Sequence, residues 1–173
     1  ALRCTGMDVD VCHGSATDLV DDDGFDVVLC IGVLEYAGDA PDAFLKHLVG
    51  LVRPGGALVV AIENRFGLAY WLQANEDHLG LPFVGLEGYP SVATTEATAA
   101  VRTFSRAELA GHLTATGLAA QRWYQPYPDY KLPTTILTDR CFDQPDAVDL
   151  VDQLVGPPID RSRMGGHVAA DER

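Results

Sequence analysis

Basic residues are scarce in this sequence, and their scarcity limits the partners it can have. The 173 residues include 12 Lys and Arg against 25 Asp and Glu, which gives a net charge of −13. Binding to the phosphate backbone of nucleic acids requires clustered Lys and Arg, so we expect no nucleic acid as the main partner. The composition leaves room for a local basic patch only.

Long apolar runs and paired cysteines are also absent. No stretch approaches the ~20 apolar residues that cross a bilayer, and the first residues lack the pattern of a signal peptide. The four cysteines, Cys4, Cys12, Cys30 and Cys141, include no Cys-x-x-Cys pair. We therefore expect reduced thiols in a cytoplasmic protein with no membrane span, no disulfide framework and no metal site.

The strongest pattern in the chain lies between residues 25 and 64. Hydrophobic residues make up 47% of the sequence, which predicts one globular domain with its own core. An apolar run at 27–31 is followed by a helical pattern at 40–52, a Pro-Gly-Gly turn and a second apolar run at 57–62. This order predicts a βαβ unit, in which the helix joins two parallel strands.

The parallel strands predict where a ligand would bind. Both strands end at the same edge of the sheet, and open α/β sheets bind ligands at the carboxyl ends of their strands. Gly32 follows the first strand and lets the backbone turn close to a ligand. We expect the cleft to be bordered by Cys30, Ile31, Gly32, Glu35, Tyr36, Glu63 and Asn64.

Two segments, FDVVLCIGVLEY and LVRPGGALVVAIEN, resemble the second half of a class I S-adenosylmethionine-dependent methyltransferase. The first is similar to the strand-four motif of that family, with Leu-Glu-Tyr where Leu-Glu-His is common. The second carries the Pro-Gly-Gly turn that precedes strand five. The resemblance covers roughly the first third of the chain. It implies an α/β fold: a partial Rossmann-like sheet, parallel with an antiparallel edge hairpin, and helices on both faces.

The resemblance implies S-adenosylmethionine as the cofactor. Ser15 stands where the family usually has an Asp that bonds the adenine amine, and the Ala16 N–H is placed to reach the adenine ring. Cys30, Ile31 and Gly32 would contact the cofactor at the strand end. An ordinary loop is the alternative interpretation of residues 14–19. The family's glycine-rich loop has no counterpart here, so we expect a missing N-terminal segment or another chain to supply it.

Candidates for catalysis and acceptor binding lie beyond the second strand. His78, beside Asp77, is the first candidate for the base that removes a proton from an acceptor hydroxyl, and Glu63 is the second. A polar surface position is the alternative interpretation of His78. A long loop at 73–90 can fold over the cleft. The residues expected to contact the acceptor are Asn64, Arg65, Tyr70, Trp71, Asp77, Tyr127, Asp129 and Lys131.

Further elements are predicted on both sides of the βαβ unit. We expect a short strand at 9–12, a helix at 65–72, and a helix begun by a capping box of Ser105 and Glu108. Strands at 118–125 and 134–137 would form the closing hairpin, and Asp143 would cap a last helix. We expect a partial methyltransferase domain at 1–158 and a flexible tail, or the start of a missing segment, at 159–173.

A narrower resemblance concerns the acceptor. Residues 63–90, 102–118 and 125–133 are similar to methyltransferase domains found with bacterial glycosyltransferases in surface-polysaccharide pathways. This implies a small-molecule or glycan acceptor that carries a hydroxyl, and a fused glycosyltransferase as a possible partner.

Two other functions stay open at this point. The chain could be a non-catalytic binding or scaffold module that lacks the glycine-rich cofactor loop. It could also be a nucleotide-dependent oxidoreductase with Tyr127 and Lys131 as a Tyr-x-x-x-Lys pair, although a Pro-rich turn disfavours that reading. Fold alone does not decide between these functions.

Overall fold

The computed structural model describes residues 6, 8–71, 73–89, 101–118, 120–127, 130–147 and 149. Its strands are β1 (Phe25–Ile31), β2 (Val52–Ala61), β3 (Tyr124–Tyr127) and β4 (Thr135–Thr138). Its α-helices are α1 (Pro41–Gly50), α2 (Leu68–Trp71), α3 (Arg106–Ala115) and α4 (Asp139–Phe142). Short 3₁₀ turns span Ala16–Asp18 and Leu34–Tyr36.

The βαβ unit forms as the sequence predicts. β1 and β2 are parallel neighbours, and their register runs from Val27 opposite Ala57 to Ile31 opposite Ala61. The Pro-Gly-Gly segment is not a separate turn, because it bulges out inside β2 between Val52 and Ala57. A Cβ on Gly56 would lie 2.7 Å from the Asp26 carbonyl oxygen, so only glycine fits at this approach.

The core lies on one face of this sheet. Helix α1 begins with Pro41, whose missing N–H is not needed in the first turn. Its apolar stripe and α3 pack against β1, the Leu34–Tyr36 turn and β2. The buried members of this core are Cys30, Leu34, Leu45, Leu48, Leu51, Phe104 and Leu109.

The opposite face of β1 is exposed among the described residues. Val27, Leu29 and Ile31 are 51%, 65% and 48% exposed, whereas Val28 and Cys30 belong to the core. Alternate residues of a strand point to opposite faces, which explains this pattern. The α/β class and the partial Rossmann-like arrangement, a parallel sheet with a separate antiparallel hairpin, are confirmed.

The closing hairpin also forms, but later in the chain than predicted. β3 and β4 are antiparallel, from Tyr124 opposite Thr138 to Tyr127 opposite Thr135. The predicted strand at 118–125 is wrong over most of its length, because the Gln121 amide is bonded to α3 and to the turn that follows this helix. Its Nε2 donates to the carbonyl oxygens of Ala110 and Leu118 at 3.2 and 2.9 Å.

Three other local predictions are corrected. Residues 9–12 form no strand, because they have no strand to pair with in the described part of the chain. The helix predicted from residue 65 starts at Leu68, because a turn closed by Gly67 N–H donating to the Asn64 carbonyl precedes it. Asp143 does not begin the predicted last helix, since it follows the end of α4. Ala147 and Asp149 are helical, and the rest of that predicted helix lies outside the described residues.

The proposed division at residue 158 falls outside the described residues and stays a prediction. No helix in the described ranges is both long enough and apolar enough to cross a membrane.

Candidate active site

A cavity of about 350 Å³ lies at the carboxyl ends of β1 and β2. The end of β1 forms one side, and the loop after α2 and the turn after β3 form the others. It lies where the parallel strands predict a ligand site. The side chains and backbone that line it come from Ile31, Gly32, Glu35, Tyr36, Glu63, Asp77, His78, Tyr130 and Lys131.

Gly32 shapes the floor of this cavity. It has a φ of +62° and donates its N–H to the Ala61 carbonyl at 2.9 Å, so the chain turns sharply while still attached to β2. A Cβ on Gly32 would lie 3.0 Å from the Tyr130 hydroxyl. The glycine therefore supplies both the left-handed conformation and the space for Tyr130.

Glu63 is the centre of a polar network at the end of β2. It is only 8% exposed, and it accepts a hydrogen bond from the buried Tyr70 hydroxyl. Lys131 Nζ donates to Glu63 Oε1 at 3.3 Å and to Asp77 Oδ2 at 2.7 Å. The turn after β3 is thereby joined to both the strand end and the long loop.

Burial and neighbouring charges change the pKa values in this network. Burial raises the pKa of Glu63 above its ordinary value, and the neighbouring Asp77 adds to the rise, while Tyr70 and Lys131 oppose it. Partial burial lowers the pKa of Lys131, but its hydrogen bond to Asp77 and the charge of Glu63 raise it overall. Folding therefore favours a protonated Lys131 and makes Glu63 a better proton acceptor than an exposed carboxylate.

The loop at 73–89 is organised by Glu76. This side chain is 1% exposed, and its Oε2 accepts from the backbone N–H of His78 and of Leu79 at 2.9 and 2.8 Å. Its Oε1 accepts from the Tyr89 hydroxyl at 2.9 Å. Sequence reasoning assigned Glu76 no role, because a run of adjacent polar residues does not show which of them is buried.

His78 is held at the cavity wall by this loop. Its Nδ1 lies 3.3 Å from the Tyr36 hydroxyl, and the two rings meet edge to face with centroids 5.3 Å apart. Its Nε2 lies 3.7 Å from Glu76 Oε1, and the side chain is 15% exposed. The imidazole is thus positioned by groups on two elements, and it faces the same cavity as Glu63 and Lys131.

The predicted cofactor residues divide into two groups. Ile31 and Gly32 line the cavity, whereas Cys30 packs into the core, where burial and the charge of Glu35 raise its pKa to about 11. Ser15 caps the turn Ala16–Asp18, because its Oγ accepts from Thr17 N–H at 3.3 Å. Neither Ser15 nor Ala16 lines the cavity.

The predicted acceptor residues are also divided. Asp77 and Lys131 line the cavity, and Tyr70 supports it from below through Glu63. Arg65 instead donates to Glu108 at 2.9 Å and to the Thr103 carbonyl at 2.8 Å, and it borders a second cavity of about 260 Å³.

The remaining acceptor residues lie away from the cavity wall or outside the described residues. Asn64 caps a turn by accepting from Phe66 N–H at 3.0 Å, and Trp71 is 60% exposed. Tyr127 is a half-buried residue of β3. Asp129 lies outside the described residues.

A cavity at the carboxyl ends of parallel strands in an α/β fold is typical of domains that bind a nucleotide-like cofactor. Comparison with known proteins specifies the class further. Residues 2–60 match the family described as "Methyltransferase domain". The matched region, about a third of the chain, confirms the resemblance to class I S-adenosylmethionine-dependent methyltransferases.

One relative is the ubiquinone biosynthesis O-methyltransferase of Maricaulis maris (strain MCS10), which is 39% identical over 69 residues. The match covers 39% of this chain and 27% of that protein. The matched part of this chain therefore spans about a quarter of the length of that relative. No solved structure shows a significant match to the chain.

The residues around the cavity suit part of S-adenosylmethionine, the methyl donor that a methyltransferase domain implies. The donor carries a sulfonium and an ammonium group, and three acidic side chains, Glu35, Glu63 and Asp77, face the cavity against one lysine. The described residues contain no group of three or more His, Cys, Asp and Glu side chains that could hold a metal ion.

Proposed function

We propose that this chain takes part in methyl transfer from S-adenosylmethionine to a hydroxyl group of an acceptor. The proposal is supported by one observation: the segment that matches methyltransferases and the cavity meet at the end of β2. The methyltransferase match ends within β2, and the cavity lies at the carboxyl ends of β1 and β2. In this architecture the strand ends are where cofactor and acceptor meet.

The bound donor supplies an electrophilic methyl group, and the residues of this chain bind, orient and accept a proton. Ile31 and Gly32 present the strand-end backbone to the donor. His78 or Glu63 takes the proton of the acceptor hydroxyl as the oxygen–carbon bond forms, and the donor leaves as a neutral thioether. Alignment of the two reactants supplies most of the acceleration, as it does in other bimolecular transfers.

The acceptor in this proposal is sugar-linked, and a fused glycosyltransferase in a cytoplasmic polysaccharide pathway is the setting that the sequence resemblance implies. Hydrogen-bonding acids and two tyrosines, Tyr36 and Tyr130, line the cavity. Carboxylates accept hydrogen bonds from sugar hydroxyls, and aromatic side chains supply apolar surface for a sugar ring.

A non-catalytic binding module is the second candidate. Two predicted cofactor residues are committed elsewhere: the Ser15 hydroxyl caps a turn, and the Cys30 side chain lies in the core. A module of this kind would keep the cavity and the fold without binding the donor.

Calorimetric titration of the chain with S-adenosylmethionine and S-adenosylhomocysteine separates these candidates, with NAD⁺ as the control ligand. The proposal predicts binding of the first two and none of NAD⁺. A chain that is folded by circular dichroism and binds neither methionine derivative would favour the non-catalytic module. If addition of the predicted glycine-rich segment upstream then restored binding, the enzymatic role would stand. Preference for NAD⁺ would instead support the oxidoreductase reading of Tyr127 and Lys131.

Substitution of the proposed base tests the mechanism. We expect His78→Gln to lower the rate of methyl transfer about 10²-fold or more, because general base catalysis contributes that amount. Affinity for S-adenosylhomocysteine should stay unchanged. His13→Gln, at an exposed position, is the matched control. If the rate drops only in Glu63→Gln and not in His78→Gln, the base is Glu63.

A further inference from the structure

Glu35 is a buried acid that the mechanism above does not use. It follows β1 in the turn Leu34–Tyr36, it is 5% exposed, and it lines the cavity. Its Oε2 is buried and accepts no hydrogen bond in the described part of the protein. A buried carboxylate oxygen without a donor costs free energy, and a bound ligand that donates a hydrogen bond is one way to recover that cost.

The space beside Glu35 is kept open by Gly32. A Cβ at this position would lie 3.6 Å from Glu35 Oε1 and 3.0 Å from the Tyr130 hydroxyl. Any other residue would therefore narrow the gap between Glu35 and Tyr130. The gap opens into the cavity that His78 and Lys131 also line.

The charges around the cavity restrict the ligand. Glu35, Glu63 and Asp77 contribute three acidic side chains, and Lys131, which already donates to Glu63 and Asp77, is the one lysine among the lining residues. A phosphate or carboxylate on the ligand would meet like charge at short range, which is unfavourable in a partly buried site. A group that donates hydrogen bonds and carries no negative charge matches the site.

We infer that Glu35 is an acceptor-binding residue, which receives a hydrogen bond from a second hydroxyl of a neutral diol-type acceptor beside the hydroxyl that is methylated. The assignment of the diol as the methyl acceptor rests on the proposed function, but the binding of a neutral diol by Glu35 does not. Glu35 holds the diol over Gly32, and the neighbouring hydroxyl then faces His78 and Glu63. The site discriminates against acceptors with an anionic group next to the reacting hydroxyl.

Three probes test this inference without the methyl donor: cis-1,2-cyclohexanediol, cyclohexanol and cis-2-hydroxycyclohexanecarboxylate. Their binding to the chain is measured by ligand-detected NMR. We expect the diol to bind best and the carboxylate worst. In Glu35→Met the affinity for the diol should fall about 10–100-fold, because a hydrogen bond to a charged group is lost. Affinity for cyclohexanol should change less, and Glu87→Gln, at an exposed position, should change neither.

Thermal unfolding provides the second readout. A merely structural role of Glu35 predicts a lower unfolding temperature for Glu35→Met, whereas the inference predicts a higher one. Glu35→Met removes a buried carboxylate, whose Oε2 has no hydrogen-bond partner in the described ranges, and leaves an apolar side chain of similar size. We expect it to raise the unfolding temperature of the free chain by about 2–4 °C. A lower unfolding temperature with unchanged diol binding would show that Glu35 is structural and would overturn the inference. Failure of the folded wild-type chain to bind the diol in preference to cyclohexanol would also overturn it.

The outcome is separable from that of the proposed function. If the chain binds the diol through Glu35 but does not bind S-adenosylmethionine, this inference stands and the proposed function is wrong. If Glu35→Met methylates an acceptor as well as the wild-type chain does, the proposed function stands and this inference is wrong.

Discussion

At the scale of single residues, the chemistry of this protein is concentrated in a few buried acids. Glu35, Glu63 and Glu76 are each less than a tenth exposed, yet their surroundings differ. Glu76 is satisfied by two backbone N–H groups and the Tyr89 hydroxyl, so it is a structural acid. Glu63 forms an ion pair with Lys131, and one oxygen of Glu35 has no donor among the described residues. Environment, and not residue type, therefore separates their roles.

The ion pair between Lys131 and Glu63 should make the free energy of unfolding depend on pH. Burial raises the pKa of Glu63, so its contribution to stability is complete below the ordinary pKa of 4.5 and is lost as the pH rises through the folded value. Lys131 opposes that rise, and Lys131→Met should raise the Glu63 pKa further. We expect a loss of about 1–2 kcal/mol in the free energy of unfolding at pH 8, and a smaller loss at pH 5.

Urea unfolding of the wild-type chain and the variant at both pH values measures this difference. Lys46→Met, at an exposed position of α1, is the control and should change little at either pH. Equal losses at pH 5 and pH 8 would show that Lys131 stabilises the fold through packing of its aliphatic stem and not through its charge.

At the scale of elements, the site depends on how each element ends. β1 ends in the left-handed turn at Gly32, and α3 begins with a complete capping box, in which Ser105 Oγ accepts from Glu108 N–H at 3.2 Å. The loop at 73–89 contains three non-glycine residues with positive φ, Gln73 at 66°, Phe83 at 66° and Tyr89 at 57°. Backbone conformations of this kind persist only where surrounding contacts hold them, and the hydrogen bond to Glu76 is such a contact for Tyr89.

The turn after β1 can be tested against a second glycine. We expect Gly32→Ala to lower the free energy of unfolding by about 1–2 kcal/mol, because alanine is strained at positive φ and its Cβ approaches Tyr130. Gly50→Ala should have the opposite sign, a gain of up to about 1 kcal/mol, because Gly50 is in α1 and has open space around it. Chemical denaturation followed by circular dichroism measures both. If Gly32→Ala left the free energy of unfolding unchanged, alanine would not be strained in this turn.

At the scale of the whole molecule, one core holds the site in place. Helices α1 and α3 pack on the same face of the β1–β2 sheet, and this face carries the turn Leu34–Tyr36. The cavity is built on the edge of that core, with the loop at 73–89 and the turn after β3 added around it. The other face of β1 contributes little burial within the described residues.

This asymmetry predicts different costs for two leucines. Leu45 is fully buried and Leu29 is 65% exposed. We expect Leu45→Ala to cost about 2–5 kcal/mol of unfolding free energy, because it removes buried apolar volume and leaves a cavity. Leu29→Ala should cost less than about 0.5 kcal/mol. Urea unfolding of the two variants provides the measurement. A large cost for Leu29→Ala would mean that the outer face of β1 is covered in solution.

The sequence by itself determined the elements whose signals are local. The apolar runs and glycines of β1 and β2, the stripe of α1 and the capping box of α3 all depend on neighbours within a few residues. They predicted the βαβ unit and the methyltransferase resemblance, and they placed Ile31, Gly32 and Glu63 at one sheet edge. The weaker alternation of apolar and polar residues at 9–12 and 118–125 gave wrong strand predictions, because a strand forms only where a partner accepts its hydrogen bonds.

Tertiary structure alone decided which polar side chains meet. Glu63, Asp77 and Lys131 are far apart in sequence, and they meet because the turn after β3 places Lys131 beside the end of β2 and the loop at 73–89. Packing likewise buried Glu76 and left Arg65 with Glu108 instead of in the cavity. Burial sets the cost of a charge, and burial depends on the whole fold, so no local pattern could show which acid would be a support and which a binding group.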